Sequence, residues 1–341
     1  MVPHPPPSNS PSPRLGKDSP QQSKPDAREI LHIHDTVEPR FDGLRLDRYL
    51  TQRFHLSRNR AQKIIRQTLT LNGTRPRKAG VRVQGGDAIH IRRPAPKDPP
   101  VPTDYEVLWE DPYLLAIDKP AGLPVHPTGN FLKNTLTSLL KARYGCDPPP
   151  VLAHRLDRET SGVILLCREK NAERVLKKDF EEGRVQKTYL ALVQGRITKR
   201  GTVDLPLGSD ESSPIRIKRG VRADGQPSVT HYEPLEHHGA YTLLKVRLET
   251  GRQHQIRAHM EALGHPIVGD KIYGAPSRFF LTYIEEGMTP ELLDELTLPH
   301  HALHAHQVTF PHPVTRQPTT VTSPLRSSLR GFLGRIDTAS E

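Results

Sequence analysis

His154-Arg155-Leu156-Asp157-Arg158-Glu159-Thr160-Ser161-Gly162 runs directly into Val163-Ile164-Leu165-Leu166-Cys167. A polar turn holding one aspartate between two arginines gives way, without a spacer, to an apolar run of strand length. Such a run is read as a buried strand. Catalytic groups tend to sit on loops that a rigid element positions, and Asp157 has that setting. Neighbouring guanidinium groups hold a carboxylate ionised, which suits a nucleophile or base and excludes a proton-donating acid at neutral pH. The competing reading is a structural ion pair, which perturbs a carboxylate without catalysing anything.

Outward from this stretch the pattern is rich in strands. Glu106–Trp109 and Tyr113–Ile117 are strand-like and flank an Asp111-Pro112 turn, and a stiff Gly/Pro loop follows over Lys119–Pro127. Asn134 or Thr135 can cap a helix reaching about Tyr144, and Asn171 can cap an amphipathic helix burying Val175, Leu176 and Phe180. Gln186–Val193 is a strand with Tyr189, Ala191 and Val193 on one face, and Val229–Leu235, Tyr241–Leu248 and Leu303–Phe310 carry further β signals. Thr250 and Gln253 have capping-box spacing for a helix with an Ile256, Met260, Leu263 stripe. That helix places Arg257 on an edge shared with His254 and Glu261, where it can face a cleft. Many strands, few helices and no βαβ alternation predict an α+β domain with a mixed, mostly antiparallel sheet over 103–326.

The charge is concentrated elsewhere. The 341 residues carry a net +11, yet Arg40–Lys97 alone holds 15 Lys or Arg against 3 Asp. Such density is self-repulsive without a polyanion, so nucleic acid is the expected partner of this module. Within it, Leu44, Leu46, Tyr49, Leu50 and Phe54 fall at helical spacing. Ser57 can cap a second helix, Arg58–Gln67, with Ala61, Ile64 and Ile65 inward and Arg58, Arg60, Lys63 and Arg66 along its length as phosphate contacts. Leu69–Leu71 leads into an Asn72-Gly73 turn, and Val81–Val83, Gly85-Gly86-Asp87 and Ile89–Ile91 read as a small hairpin-like end. This order of elements resembles the S4 RNA-binding domain and implies a small α/β module recognising structured RNA by shape and phosphate. A proline-rich connector over 94–102 separates it from the larger domain.

Residues 1–28 are proline-rich with no apolar period and are expected to be disordered. With no signal-peptide pattern and no apolar run of membrane-spanning length, a cytoplasmic protein without membrane contact is expected. Two cysteines, Cys146 and Cys167, exclude a disulfide framework or a thiolate metal site. His300, His301, His304 and His306 crowd together without carboxylate or thiolate support, so no metal centre and no cofactor are expected.

Four motifs in order carry a more specific resemblance. They are K-P-A-G-L-P-V-H-P at 119–127, H-R-L-D-R-E-T-S-G at 154–162, K-T-Y-L-A-L-V at 187–193 and G-R-Q-H-Q-I-R-A-H-M at 251–260. G-H-P-I-V-G-D-K-I-Y-G at 264–274 and L-H-A at 303–305 fit the same pattern. Together they resemble the RluA-type pseudouridine synthases, in which an S4-like module is a common companion. The resemblance implies the pseudouridine synthase fold and isomerisation of uridine within structured RNA, with large-subunit (23S) ribosomal RNA foremost and tRNA the rival substrate. It implies Asp157 as nucleophile, Tyr189 as the active-site tyrosine that stacks on the base and is implicated in proton removal, and Arg257 as basic partner of the aspartate, with Arg252 its rival. Arg155, Arg158, Arg252 and His254 are then candidate substrate contacts, and a monomer is expected. The alternatives are a non-catalytic RNA-binding or ribosome-assembly factor and a glycosidase-like hydrolase. The last is disfavoured because no second carboxylate is placed as acid or base.

Overall fold

The computed structural model describes residues 30–54, 56, 58–94, 98–129, 131–145 and 148–339. The disordered tail expected over 1–28, the Ser57 cap and Cys146 lie outside them. The chain separates into two compact units at Lys97/Asp98.

The first unit contains β1 (Ile30–Thr36), α1 (Leu46–Arg53), α2 (Arg58–Gln67), β2 (Leu69–Leu71) and β3 (Ala88–Pro94). Its sheet is antiparallel in the order β1-β3-β2. Leu46, Tyr49, Leu50, Ala61, Ile65, Leu69, Ile89 and Ile91 form one core, so each helix buries the stripe that its spacing predicts. Asn72 and Gly73 both adopt positive φ, as the Asn-Gly turn requires. The expected pairing of 81–83 with 89–91 does not form. Arg82 makes only an isolated bridge to Arg45, and β3 takes β1 as its partner instead. Backbone bonds from Val37 to Asp87 and from Gly86 to Val37 bring β1 alongside β3, a pairing across more than 50 residues that no local pattern announces.

The second unit is built on a ten-stranded sheet. Its strands are β4 (Glu106–Glu110), β5 (Leu114–Lys119), β6 (Val151–Leu152), β7 (Ser161–Cys167), β8 (Gln186–Gln194), β9 (Gly201–Asp204), β12 (Val229–His238), β13 (Tyr241–Leu248), β14 (Leu303–Pro311) and β15 (Pro318–Thr322). Separate from it, β10 (Leu207–Ser209) and β11 (Arg219–Val221) form a two-stranded ribbon. The helices are α3 (Leu136–Tyr144), α4 (Lys170–Glu181), α5 (Gln255–Ala262), α6 (Ser277–Glu286), α7 (Pro290–Leu296) and α8 (Ser327–Ala339). The main path is β4-β5-β7-β14-β8-β13-β12-β9, antiparallel except at β7–β14. This is the expected mixed, mostly antiparallel α+β fold.

The continuous apolar runs on β5 and β7 follow from burial on both faces. Leu114, Ala116, Val163, Leu165 and Cys167 pack with Leu176 of α4 on one side. Leu115, Ile117, Ile164 and Leu166 pack with Leu136 and Leu140 of α3 and with Leu123 and Val125 of the proline loop on the other. Thr135 caps α3 by accepting from the Ser138 amide.

Several local expectations are corrected. Helix α4 starts at Lys170, so Asn171 lies inside it, and Glu169 occupies the cap position without a side-chain bond. The Thr250/Gln253 capping box is replaced by a left-handed His254 at the cap of α5, while Thr250 instead accepts from the Val229 amide. Leu263 is 36% exposed and does not extend the stripe of Ile256 and Met260. Residues 196–226, which carried no strand expectation, contain β9–β11, residues 278–299 are mostly the helices α6 and α7, and β15 and α8 are further elements.

Candidate active site

Asp157 sits on the loop between β6 and β7, which is held from three directions. Leu156 packs against two apolar clusters, one built on β8, β13 and α5 and one on β5, β7 and α3. The Thr160 amide donates to the Asp157 carbonyl at 3.2 Å. Lys119, fully buried at the end of β5, donates its Nζ to the carbonyls of Pro120, Leu123 and Arg158 at 2.8, 3.0 and 2.9 Å. The proline loop and the aspartate loop are thus tied through one ammonium group. Burial pushes its pKa down to about 7 against the opposing pull of the Asp157 charge.

Gly162 closes the loop at the start of β7. Its φ of +106° and its close approach to the Ala305 carbonyl leave no room for a Cβ. That closeness permits the parallel step to β14, which sets a row across four strands. Gly162 lies beside Ala305, Ala305 beside Tyr189 of β8, and Tyr189 beside Val246 of β13. The tyrosine is therefore carried to the Asp157 end of the sheet by strand register alone.

Arg257, on the first turn of α5, supplies the cation. Its Nη1 donates to Asp157 Oδ2 at 2.8 Å, while Nε and Nη2 form a bidentate pair with Asp270 at 2.6 and 2.9 Å. Its guanidinium also lies over the Tyr273 ring, 4.9 Å from the centroid. Asp270 in turn accepts from the amides of Ile272 and Tyr273. The side chains of Arg257 and Asp270 are 5% and 0% exposed, whereas Asp157 keeps 29% of its side chain open. One edge of the guanidinium is locked in the core and another is presented to a carboxylate that a substrate can reach.

The electrostatics follow from this packing. Burial raises the Asp157 carboxyl, but His254, Arg257 and His301 more than offset it, helped by the Arg257 hydrogen bond, and the pKa falls to about 2. The two imidazoles are themselves pushed down by burial, to about 4 for His254 and about 3 for His301, so at neutral pH they are uncharged. Arg257 is the permanent cation; burial opposes its charge, and Asp270 and Asp157 outweigh that opposition. Tyr189 is 8% exposed, and its hydroxyl is held protonated by burial first and by the Asp157 charge second.

His254 adopts φ +59°, ψ +16° at the cap of α5, a strained setting for a residue with a Cβ. Its Nδ1 meets the Tyr273 hydroxyl at 3.0 Å, and its Nε2 lies 3.8 Å from Asp157 Oδ2. The structure therefore brings Asp157, Arg257 and His254 together, with Tyr189 close enough to feel the carboxylate. The sequence neighbours do not serve as the expected charge partners. Arg155 is exposed. Arg158 pairs with Glu159 at 2.9 Å and bonds the Tyr283 hydroxyl at 3.1 Å. Arg252 is exposed too, and its Nε reaches the Pro227 carbonyl at 3.3 Å. Chain proximity misleads here because alternating directions along a turn send adjacent side chains to different surroundings.

Asp270 and Lys119 are absent from the expected set, although both lie inside motifs that carry the resemblance. The available signal is stoichiometric: a buried arginine needs a second carboxylate when its first must stay reachable. A further buried pair, Lys271–Glu159 at 2.8 Å, backs the same loop. Three of the four C-terminal histidines have structural partners: His301 bonds Thr160, His304 bonds Ser161 and the Ser323 carbonyl, and His306 bonds that carbonyl too. Among the described residues no helix is long and apolar enough to cross a membrane.

Comparison with known proteins places this geometry. Residues 113–262, which hold Asp157, Tyr189 and Arg257, match the RNA pseudouridylate synthase family model. A ribosomal large subunit pseudouridine synthase D of Xanthomonas campestris is 36% identical, over 86% of this chain and 89% of that protein. An RNA pseudouridine synthase of Chloroflexus aurantiacus is 37% identical, over 90% of this chain and 96% of that one. The solved structure of human RNA pseudouridylate synthase domain containing 4 superposes with a TM-score of 0.53 at 27% identity, covering 67% of this chain and 92% of that one. Motif order, sheet topology and similarity along most of its length converge: the chain belongs to the RNA pseudouridine synthase family, isomerases that convert uridine in RNA to pseudouridine.

Proposed function

We propose that Asp157 is the nucleophile of this isomerisation, and that the uridine it acts on lies in large-subunit ribosomal RNA. The observation that carries the first part is a carboxylate kept ionised by Arg257 yet open to solvent on its other side. The flipped nucleotide enters from that side. An Asp157 oxygen bonds C1′ as the N1–C1′ bond breaks, and the electron pair leaves with the uracil ring. The ring turns within the pocket, C5 bonds C1′ and the aspartate is released. The C5 proton is lost and N1 is protonated, so the reaction balances without a co-reactant.

Arg257 acts as a positioning residue. Asp270 holds two of its donors, so the third is aimed before substrate arrives. Tyr189 supplies an aromatic wall for the turning ring. Its phenol is a poor proton acceptor while Asp157 is charged, and esterification of that carboxylate removes the second of the two influences that hold the phenol protonated. The basic first unit contributes RNA affinity through Arg58, Arg60, Lys63 and Arg66, all exposed on α2. Asp157, Tyr189 and Arg257 all come from one chain, which supports activity as a monomer, and the ribosomal RNA substrate in the Xanthomonas relative's name supports a cytoplasmic location. The choice of ribosomal RNA rests on the name of the Xanthomonas relative.

Asp157→Asn is expected to abolish tritium release from RNA carrying 5-tritiated uridine while RNA binding survives. Release at the wild-type rate would refute the nucleophile. Pseudouridine mapping in cells lacking the protein should show loss in large-subunit RNA; loss confined to tRNA would replace the substrate assignment.

A further inference from the structure

We propose that the helix-free face of the first unit's sheet binds a divalent transition-metal ion through His32, His34 and His90. Side chains alternate along a strand, so His32 and His34 share one face of β1 while Ile33 points into the core. The β1–β3 register sets His34 directly opposite His90, with Ile89 and Ile91 turned to the core. Three imidazoles therefore stand on one face of a two-strand pairing.

Their ring atoms converge. His32 Nδ1 and His90 Nε2 are 3.0 Å apart. The His34 and His90 rings stack with centroids at 4.2 Å and planes within 7°, and His32 stacks on His90 at 5.1 Å. One nitrogen from each residue lies within 4.8 Å of the other two. A tetrahedral ion with metal–nitrogen bonds of about 2.0–2.1 Å needs nitrogens roughly 3.4 Å apart. The stacked rings must turn so that their in-plane lone pairs meet at one ion. Two of the three rings are exposed and the third is half-buried, so nothing packed in the core has to move.

The donor set selects the ion. Three neutral nitrogens with no carboxylate suit zinc, nickel or copper and not the oxygen-seeking magnesium or calcium. Three protein ligands leave a coordination position open to water or another small ligand. Arg92 lies opposite His32 in the same register, and its charge keeps affinity below that of a closed four-ligand site. Sequence alone hides this centre because its third member lies 58 residues beyond the first and joins only through strand pairing.

The test uses the full chain without an affinity tag, stripped of metal and titrated with zinc by calorimetry and with cobalt by visible absorption. One equivalent should bind, unaffected by millimolar magnesium, with the cobalt spectrum showing nitrogen ligation. His34→Gln and His90→Gln should each weaken binding roughly tenfold or more, and the double variant should abolish the cobalt signal. Replacing the exposed His237 by Gln should leave stoichiometry and affinity unchanged, which controls for the loss of an unrelated exposed imidazole. Circular dichroism of each variant confirms that the fold is retained. No binding by the wild type, or equal binding by the double variant, overturns the proposal.

Discussion

The Asp157 loop and helix α2 are both crowded with charge, yet they handle it in opposite ways. Around Asp157 nearly every charge is buried and matched: Arg257 stands between Asp157 and Asp270, Lys271 meets Glu159, and Lys119 spends its ammonium on three carbonyls. On α2 Arg58, Lys63 and Arg66 are exposed. The three acids of the basic stretch are engaged in local structure, Asp47 with Arg45, Asp42 with the Gly85 amide and Asp87 with Asn72 and the Gln84 amide. Buried, matched charge fixes position, because any shift of one partner strands the other. Exposed charge fixes nothing locally and projects a field outward. Substitutions in the first region should therefore change the rate at constant affinity, and substitutions in the second should change affinity at constant rate.

The largest effect tests that division at its centre. Asp157→Asn keeps shape and removes charge, and a loss of at least about four orders of magnitude in rate is expected, as for other nucleophiles. If RNA affinity fell in parallel, the loop would be a binding element and the contrast would fail.

Arg257→Met comes next. The fully buried Asp270 and the partly open Asp157 would lose their shared cation, at a cost of about 3–5 kcal/mol in stability, most of it from Asp270, and the single-turnover rate should drop about a hundredfold or more. The pH dependence distinguishes a positioning role from general disruption. In the wild type Asp157 titrates at about 2 and His254 at about 4, so the single-turnover rate should stay flat as pH falls from 6.5 to 5. Without Arg257 the carboxyl loses its permanent cation and keeps only the two titratable imidazoles against burial, so its pKa should rise and the rate should fall as pH drops through the new value. A variant that is slow but still flat over this range would show that Arg257 does not hold the charge of Asp157.

The same contrast explains what was legible in the sequence. Elements whose pattern is local came through. The runs Leu114–Ile117 and Val163–Cys167 are strands because both faces are buried, and Arg58–Gln67 is a helix with Ala61 and Ile65 inward. Asp157, Tyr189 and Arg257 could be named through motif resemblance, but their geometry could not. Arg257 meets its aspartate 100 residues away, and Tyr189 reaches the site through the register of β7, β14 and β8. Asp270 escaped because nothing local says that an arginine already assigned to one carboxylate needs another. Strand β1 and its histidines escaped for a related reason, since a seven-residue strand is uninformative until its partner is known.

The smallest effect is the most selective. Lys63→Gln alters an exposed position on α2, so folding stability should stay within about 0.5 kcal/mol of the wild type. Removing one cation that neutralises a phosphate should lower the slope of log affinity against log salt by roughly 0.7–0.9. Measuring RNA affinity across a salt series resolves such a change, while single-turnover tritium release at saturating enzyme should stay at the wild-type rate. Combining Lys63→Gln with Arg58→Gln and Arg66→Gln should about triple the reduction in slope, since exposed charges that share no partner act additively. If one substitution already abolished the salt dependence, α2 would bind RNA through a single specific cation. If three left it unchanged, the phosphates would be met elsewhere on the basic stretch. Either result would remove the opposition between a region that positions and a region that attracts, because α2 would then lack the additive long-range behaviour that exposure predicts.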